Sequence, residues 1–92
     1  MTEDEFRTAA GDMGYDEPME KTLEPCRYND FHAHDVSLFL LITKGEMTLD
    51  VDSPDGMITT CCREGDVIEV PAAVTHNERA GADGVTILVS RK

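Results

Sequence analysis

Three histidines occur in the chain, His32, His34 and His76, and their spacing suits metal ligation. Residues two apart in an extended strand leave the same face, about 6.6 Å apart along the strand. His32 and His34 therefore point the same way, and imidazoles at that separation can converge on one ion with M–N bonds of about 2.0–2.1 Å. His76 must arrive from another strand to complete a site. Other chemistry finds less support in the residues. Ser37, Ser53 and Ser90 carry no nucleophile-elbow motif. The glycines sit singly at turn positions, so no loop cradles a phosphate. Glu46, Asp50 and Asp52 alternate with apolar residues and read as a solvated sheet face.

The elements that must position the histidines are mostly strands. Thr2 with Glu5 is a capping-box pair, and Phe6, Ala9 and Ala10 form a small apolar stripe before Gly11. This predicts a short helix over residues 3–10. An acidic, irregular arm runs from Asp12 to Pro25, with a short strand near Lys21–Leu23. From Cys26 the pattern is β throughout: Cys26–Tyr28, Phe31–His34, the apolar run Ser37–Thr43 ending at Lys44-Gly45, and Glu46–Asp52 with Met47, Leu49 and Val51 on one face. Ser53-Pro54-Asp55-Gly56 is a hairpin turn into Met57–Cys62. Arg63-Glu64-Gly65-Asp66 turns into Val67–Val70, which Pro71 breaks. Thr75–Arg79 and Val85–Val89 follow, separated by a turn at Gly81-Ala82-Asp83-Gly84. Short strands with turns every 8–12 residues define an all-β sandwich or small barrel. The organisation expected is one domain over residues 1–92, with a helix and arm over 1–25 and a barrel over 26–92.

The motif spacing narrows this further. His32-x-His34 is followed after ten residues by Gly45, and later by Gly65-Asp66, Pro71 and His76. This resembles the two-motif signature of the cupin superfamily, whose first motif is HxH, a Glu and a Gly, and whose second is G-x5-P-x-G-x2-H-x3-N. The resemblance covers about residues 30–80 and is greatest for the short single-domain members with an N-terminal helix. It implies an all-β double-stranded β-helix, or jelly-roll barrel, with His32, His34 and His76 holding one divalent transition metal (iron, nickel, zinc, manganese or copper) inside its mouth.

Three positions depart from the motif. Leu38 stands where the family spacing places a metal-binding Glu, Ala73 replaces the second-motif glycine, and Ala80 replaces its Asn. Without the Glu the implied ligand set is three imidazoles, similar to the thiol dioxygenases and diketone-cleaving cupins, which use ferrous iron. Three neutral ligands leave the full +2 charge and up to three open positions, favouring a bidentate anionic ligand plus dioxygen. Glu78 shares the face of His76 and is the best-placed candidate for an additional ligand or supporting contact; a solvated strand residue is its plain alternative. Leu38 shares the parity of the histidine face and is expected as an apolar wall of the pocket. Two functional classes follow: a small-molecule dioxygenase of non-haem iron type, or a non-catalytic module that binds or senses a small ligand or metal through a kept or vestigial site.

Charge and composition limit the partners. Eight Lys+Arg against nineteen Asp+Glu give a net charge of −11, which disfavours nucleic acid and anionic membranes. The longest purely apolar run, Leu38–Ile42, is far shorter than the about 20 residues a spanning helix needs. The acidic opening Thr2-Glu3-Asp4-Glu5 is unlike a secretory leader, and three unpaired-looking cysteines suit reduced thiols in the cytoplasm. A barrel this small leaves sheet edges that invite pairing. The arm near Lys21–Leu23 is the piece expected to extend a partner's sheet, giving a homodimer.

Overall fold

The computed structural model describes residues 1–92. Its elements are α1 (Glu3–Asp12), β1 (Met19–Leu23), β2 (Tyr28–His32), β3 (Leu38–Ser53), β4 (Gly56–Arg63), β5 (Val67–Val70) and β6 (His76–Arg91). No helix is long and apolar enough to cross a membrane.

The capping box forms as the sequence predicts. The Glu5 N–H donates to Thr2 Oγ1 at 3.2 Å, and the Thr2 N–H donates to Glu5 Oε1 at 2.8 Å. The helix runs past Gly11 to a C-cap at Met13. Phe6 and Ala10 are fully buried in a cluster with Tyr15, Phe39, Leu41 and Leu88, and the Phe6 and Phe39 rings stack at 4.7 Å. Thus α1 covers one face of β3 while Leu38, Leu40 and Ile42 fill the main core on the other. That double coverage explains why Leu38–Ile42 is apolar without alternation.

Two strands are longer than expected. Ser37–Thr43 and Glu46–Asp52 join into the 16-residue β3, and Thr75–Arg79 and Val85–Val89 join into the 16-residue β6. Both cross the positions where the sequence reads as turns, and their mutual register shifts between Ile42 and Lys44 and between Gly45 and Met47. Each strand therefore serves two layers. β1 pairs with residues 85–89 of β6 and β5 with residues 38–41 of β3, whereas β2 pairs with the start of β6 and β4 with residues 46–53 of β3. The layers β1-β6-β3-β5 and β2-β6-β3-β4 enclose a core of Leu23, Leu38, Leu40, Ile42, Met47, Leu49, Cys62, Val70, Ala80, Val85 and Ile87. This is the double-stranded β-helix of the cupins, all-β apart from α1.

The bend depends on two glycines. Gly45 (φ 80°) lies opposite Val85, one residue from Gly84 (φ 80°). A Cβ on Gly45 would run into the Gly84 carbonyl oxygen, and a Cβ on Gly84 would come within 2.8 Å of the Leu23 carbonyl oxygen. Three chain segments pass there at backbone contact, so the turn signals mark a crossing rather than strand ends.

One other expectation is corrected. The strands predicted at Cys26–Tyr28 and Phe31–His34 are one strand, β2, ending at His32, so His34 lies beyond it. Cys26 cannot continue β2 because its φ is 60°. The N-terminal strand β1 pairs with β6 of its own chain, Met19 opposite Val89 through Leu23 opposite Val85. The short connection from α1 makes intramolecular closure cheap, and pairing buries Leu23 in the core. The hairpin at Ser53–Gly56 and the alternation of β3 match expectation: Met47 and Leu49 are buried, Glu46 and Asp52 exposed.

Adjacent Cys61 and Cys62 point to opposite faces, the first exposed and the second buried. Burial pushes the Cys62 thiol up to about 11, with the Asp66 charge adding to the effect. The folded protein thus resists ionising a thiol that the unfolded chain ionises near 9. The contribution is whole below pH 9 and is lost as pH rises toward 11, at about 1.4 kcal/mol per pH unit. Urea midpoints of wild type and Cys62→Ala should therefore converge between pH 8.5 and 10.5; a pH-independent gap would contradict the buried thiol.

Candidate metal centre

Strand register brings the first two histidines together. His32, at the end of β2, lies directly opposite His76, at the start of β6, and their ring centroids are 4.4 Å apart. His34 reaches the same place without a strand to hold it. The Ala73 N–H donates to the His34 carbonyl at 2.8 Å, and the Ala72 N–H donates to Ser37 Oγ at 3.2 Å. The turn that precedes β6 thereby pins the segment carrying His34. Its ring lies 4.9 Å from that of His32 and 5.4 Å from that of His76.

That turn contains strain. The Val74 N–H donates to the Pro71 carbonyl at 3.3 Å, and Ala73, third in the turn, has φ 67°. A type II turn wants glycine there, which is the residue the second motif carries. Left-handed backbone costs a residue with a Cβ about 1–2 kcal/mol. Ala73→Gly should stabilise the protein by about 1 kcal/mol after the added freedom of the unfolded chain is subtracted. Chemical denaturation checks this, and a destabilised variant would show that the turn is unstrained.

One ligand atom from each of the three histidines lies within 4.8 Å of the other two. Three nitrogens around one ion need separations of about 3.0–3.4 Å, so modest ring rotations complete the set. The tautomers are already right for two of them. His32 Nδ1 lies 2.6 Å from the Asp30 carbonyl and His76 Nδ1 lies 3.2 Å from the Val74 carbonyl. A carbonyl only accepts, so both Nδ1 atoms carry the proton and both Nε2 atoms offer lone pairs, the arrangement metal-binding histidines use. His34 is held below the usual histidine range by burial first, then by the neighbouring His32 and His76; Glu78 opposes this weakly. Its lone pair is available at neutral pH.

His76 is 1% exposed, whereas His32 and His34 are half-buried. His32 and His34 line a cavity of about 660 Å³ that also takes in Leu38, Leu40, Glu78 and Arg91. Leu38 forms part of its apolar wall. Glu78 is in the wall as well, but it stands outside the histidine group, and its Oε1 accepts from Asn29 Nδ2 at 2.9 Å. Sequence reading missed Asn29 and Arg91. Asn29 is opposite Glu78 and Arg91 opposite Leu38, and only the register shows either pairing.

A jelly roll with histidines gathered on its inner strands is the cupin architecture, and this chain has the cupin fold. No family model matches the sequence, and no curated protein matches it either. Solved structures do. The Drosophila melanogaster CENP-C cupin domain bound to CAL1 superposes with a TM-score of 0.72 at 17% identity, over 79% of this chain and 59% of that one. Bacillus subtilis oxalate decarboxylase superposes with a TM-score of 0.76 at 17% identity, over 88% of this chain and 22% of that one. One structure of that decarboxylase concerns its Mn(II) centres. At this identity the likeness is one of fold.

Proposed function

We propose that this chain is a metal-binding small cupin in which His32, His34 and His76 hold one divalent transition metal and present it to a small anionic molecule, as in a non-haem iron dioxygenase. The observation that carries the reading is the convergence of three imidazoles within 4.8 Å, two of them with Nε2 lone pairs set by backbone carbonyls. Such an ion supplies Lewis-acid or dioxygen chemistry. The chain's own residues do the rest. Leu38 and Leu40 keep the inner wall dry, and Arg91, which takes part in neither of the chain's two ion pairs, offers a cation to an anionic ligand.

A second reading is a module that binds a small ligand or metal without turnover. It is favoured by Glu78, whose carboxylate is engaged by Asn29 rather than free as a base. The CENP-C cupin domain, described as bound to CAL1, shows that the fold also occurs in a protein with a protein partner.

Metal analysis of tag-free protein tests the site. The expected result is uptake of one equivalent of iron, nickel or zinc, with affinity about 100-fold weaker in His76→Ala, some 2.7 kcal/mol. No uptake by the folded wild type would remove the metal site. Oxygen consumption by the iron-loaded protein with a panel of thiols and diketones then separates enzyme from binding module.

A further inference from the structure

Charge, irregularity and short length are the usual means by which a strand edge is kept from pairing. β1 carries Glu20 and Lys21, β2 carries Asp30 and a break in register between Asn29 and His32, and β5 is four residues long and followed by Pro71. β4 has no such guard. It pairs with β3 in unbroken register from Gly56 to Arg63, has no other neighbour, and holds neither charge nor proline over residues 56–62. Its two faces differ. Met57, Thr59 and Cys61 lie opposite Asp52, Asp50 and Thr48 on the outer face, whereas Ile58 and Thr60 lie opposite Val51 and Leu49 on the core side. Ile58 is nevertheless 55% exposed, so the inward row ends at this edge with an uncovered apolar side chain. The charge beside the edge is one-sided. Glu46, Asp50, Asp52, Asp55 and Glu64 stand against the single cation Arg63, and of these acids only Glu46 is in an ion pair.

We infer that β4 is a docking edge for an extended segment of another protein in which basic and apolar residues alternate, added as a further strand to the β2-β6-β3-β4 layer. In strand addition, main-chain hydrogen bonds to the free edge supply the attachment and alternate side chains choose the partner. The apolar residues of the segment face inward and cover Ile58. Its basic residues face outward, toward the acids of β3. Neighbouring strands lie about 4.7–4.9 Å apart, so a lysine on the added strand stands about 9.5 Å from Asp50. Its long stem spans that gap over the short Thr59. Thr59 Oγ1 donates to Asp50 Oδ1 at 2.6 Å, which leaves Oδ2 for the incoming ammonium. The net charge of −11 acts in the same sense at longer range. It draws a basic segment in and holds further copies of this acidic chain off.

The probe is a fluorescent, end-capped peptide of alternating Lys and Val with eight residues, the length of β4. Anisotropy titration with the full chain at low salt should saturate at one peptide per chain. Lysines alone are drawn to any acidic surface, so the controls hold charge constant. Regrouping the same residues into a Lys block and a Val block should weaken binding at least tenfold, about 1.4 kcal/mol. N-methylation of alternate amides should abolish binding along one edge of the peptide and leave it intact along the other, because only one edge meets the ladder. Thr59→Lys, at an exposed position, should weaken binding at least tenfold with an unchanged circular-dichroism spectrum, since like charges across a strand pair repel. No binding of the alternating peptide overturns the inference, as do equal binding of the block peptide, methylated series that behave alike, or full affinity in Thr59→Lys. Light scattering that shows a dimeric wild type and a monomeric Thr59→Lys protein also overturns it, because a second copy then holds the edge.

Discussion

Leu38→Glu is expected to tighten divalent-metal binding at least tenfold, about 1.4 kcal/mol, while making the metal-free protein less stable. Leu38 is 7% exposed and lines the same cavity as His32 and His34. A carboxylate there enters where the resemblance to the cupin motif reserves a ligand, and it would neutralise half the charge of a divalent ion held by neutral imidazoles. Without metal the same group is buried in an apolar wall, at a cost of several kcal/mol. Arg91, the cross-strand neighbour of Leu38, offsets part of that cost. Melting temperature should therefore fall in the presence of a chelator and recover on loading with metal. Affinity from competition titration and melting curves with and without metal provide the check. Lost stability with no gain in affinity would mean the histidines are a vestigial site, and no change in either would mean Leu38 faces elsewhere.

Gly45→Ala should cost roughly 3 kcal/mol or more, a large share of the about 5–15 kcal/mol that holds a domain together. Two penalties add at this position. The left-handed backbone at φ 80° disfavours any Cβ, and the new methyl would strike the Gly84 carbonyl oxygen, which cannot withdraw because Gly84 is itself packed on the Leu23 carbonyl. A domain of this size loses about 4–8 °C per kcal/mol, so the melting temperature should drop by more than about 12 °C. Thermal unfolding followed by circular dichroism measures it. A loss below about 1 kcal/mol would show that the crossing of β3 and β6 is not tightly packed. The motif glycine thus has a mechanical reason: it lets the two long strands bend between layers at backbone contact.

Local signals in the sequence were enough for the candidate site and for most elements. The HxH pair and His76 name the three histidines that the fold brings within 4.8 Å of one another. Thr2 with Glu5 starts the helix, Pro54-Asp55-Gly56 makes the hairpin, and the alternation of Met47, Leu49 and Val51 orients β3. The helix start, the hairpin and the alternation each depend on residues within a few positions of one another, where side-chain period and turn chemistry act directly, whereas His76 joins the pair only through the motif resemblance. What lay out of reach depends on neighbours distant in the chain. Lys44-Gly45 and Gly81–Gly84 carry turn chemistry, yet the tertiary fold uses their freedom to let strands cross, so β3 and β6 run on. His34 was expected on a strand and is instead fixed by the Ala73 amide. Glu78 was a candidate for an additional ligand or supporting contact, with a solvated strand residue as its alternative, and only the strand register shows its pairing with Asn29. The apolar run at Leu38–Ile42 could not reveal that α1 covers its second face. Sequence by itself determined which residues could bind a metal and which segments would be extended. Tertiary structure decided which of them meet, because register between strands is set by packing across the whole core and not by any local run of residues.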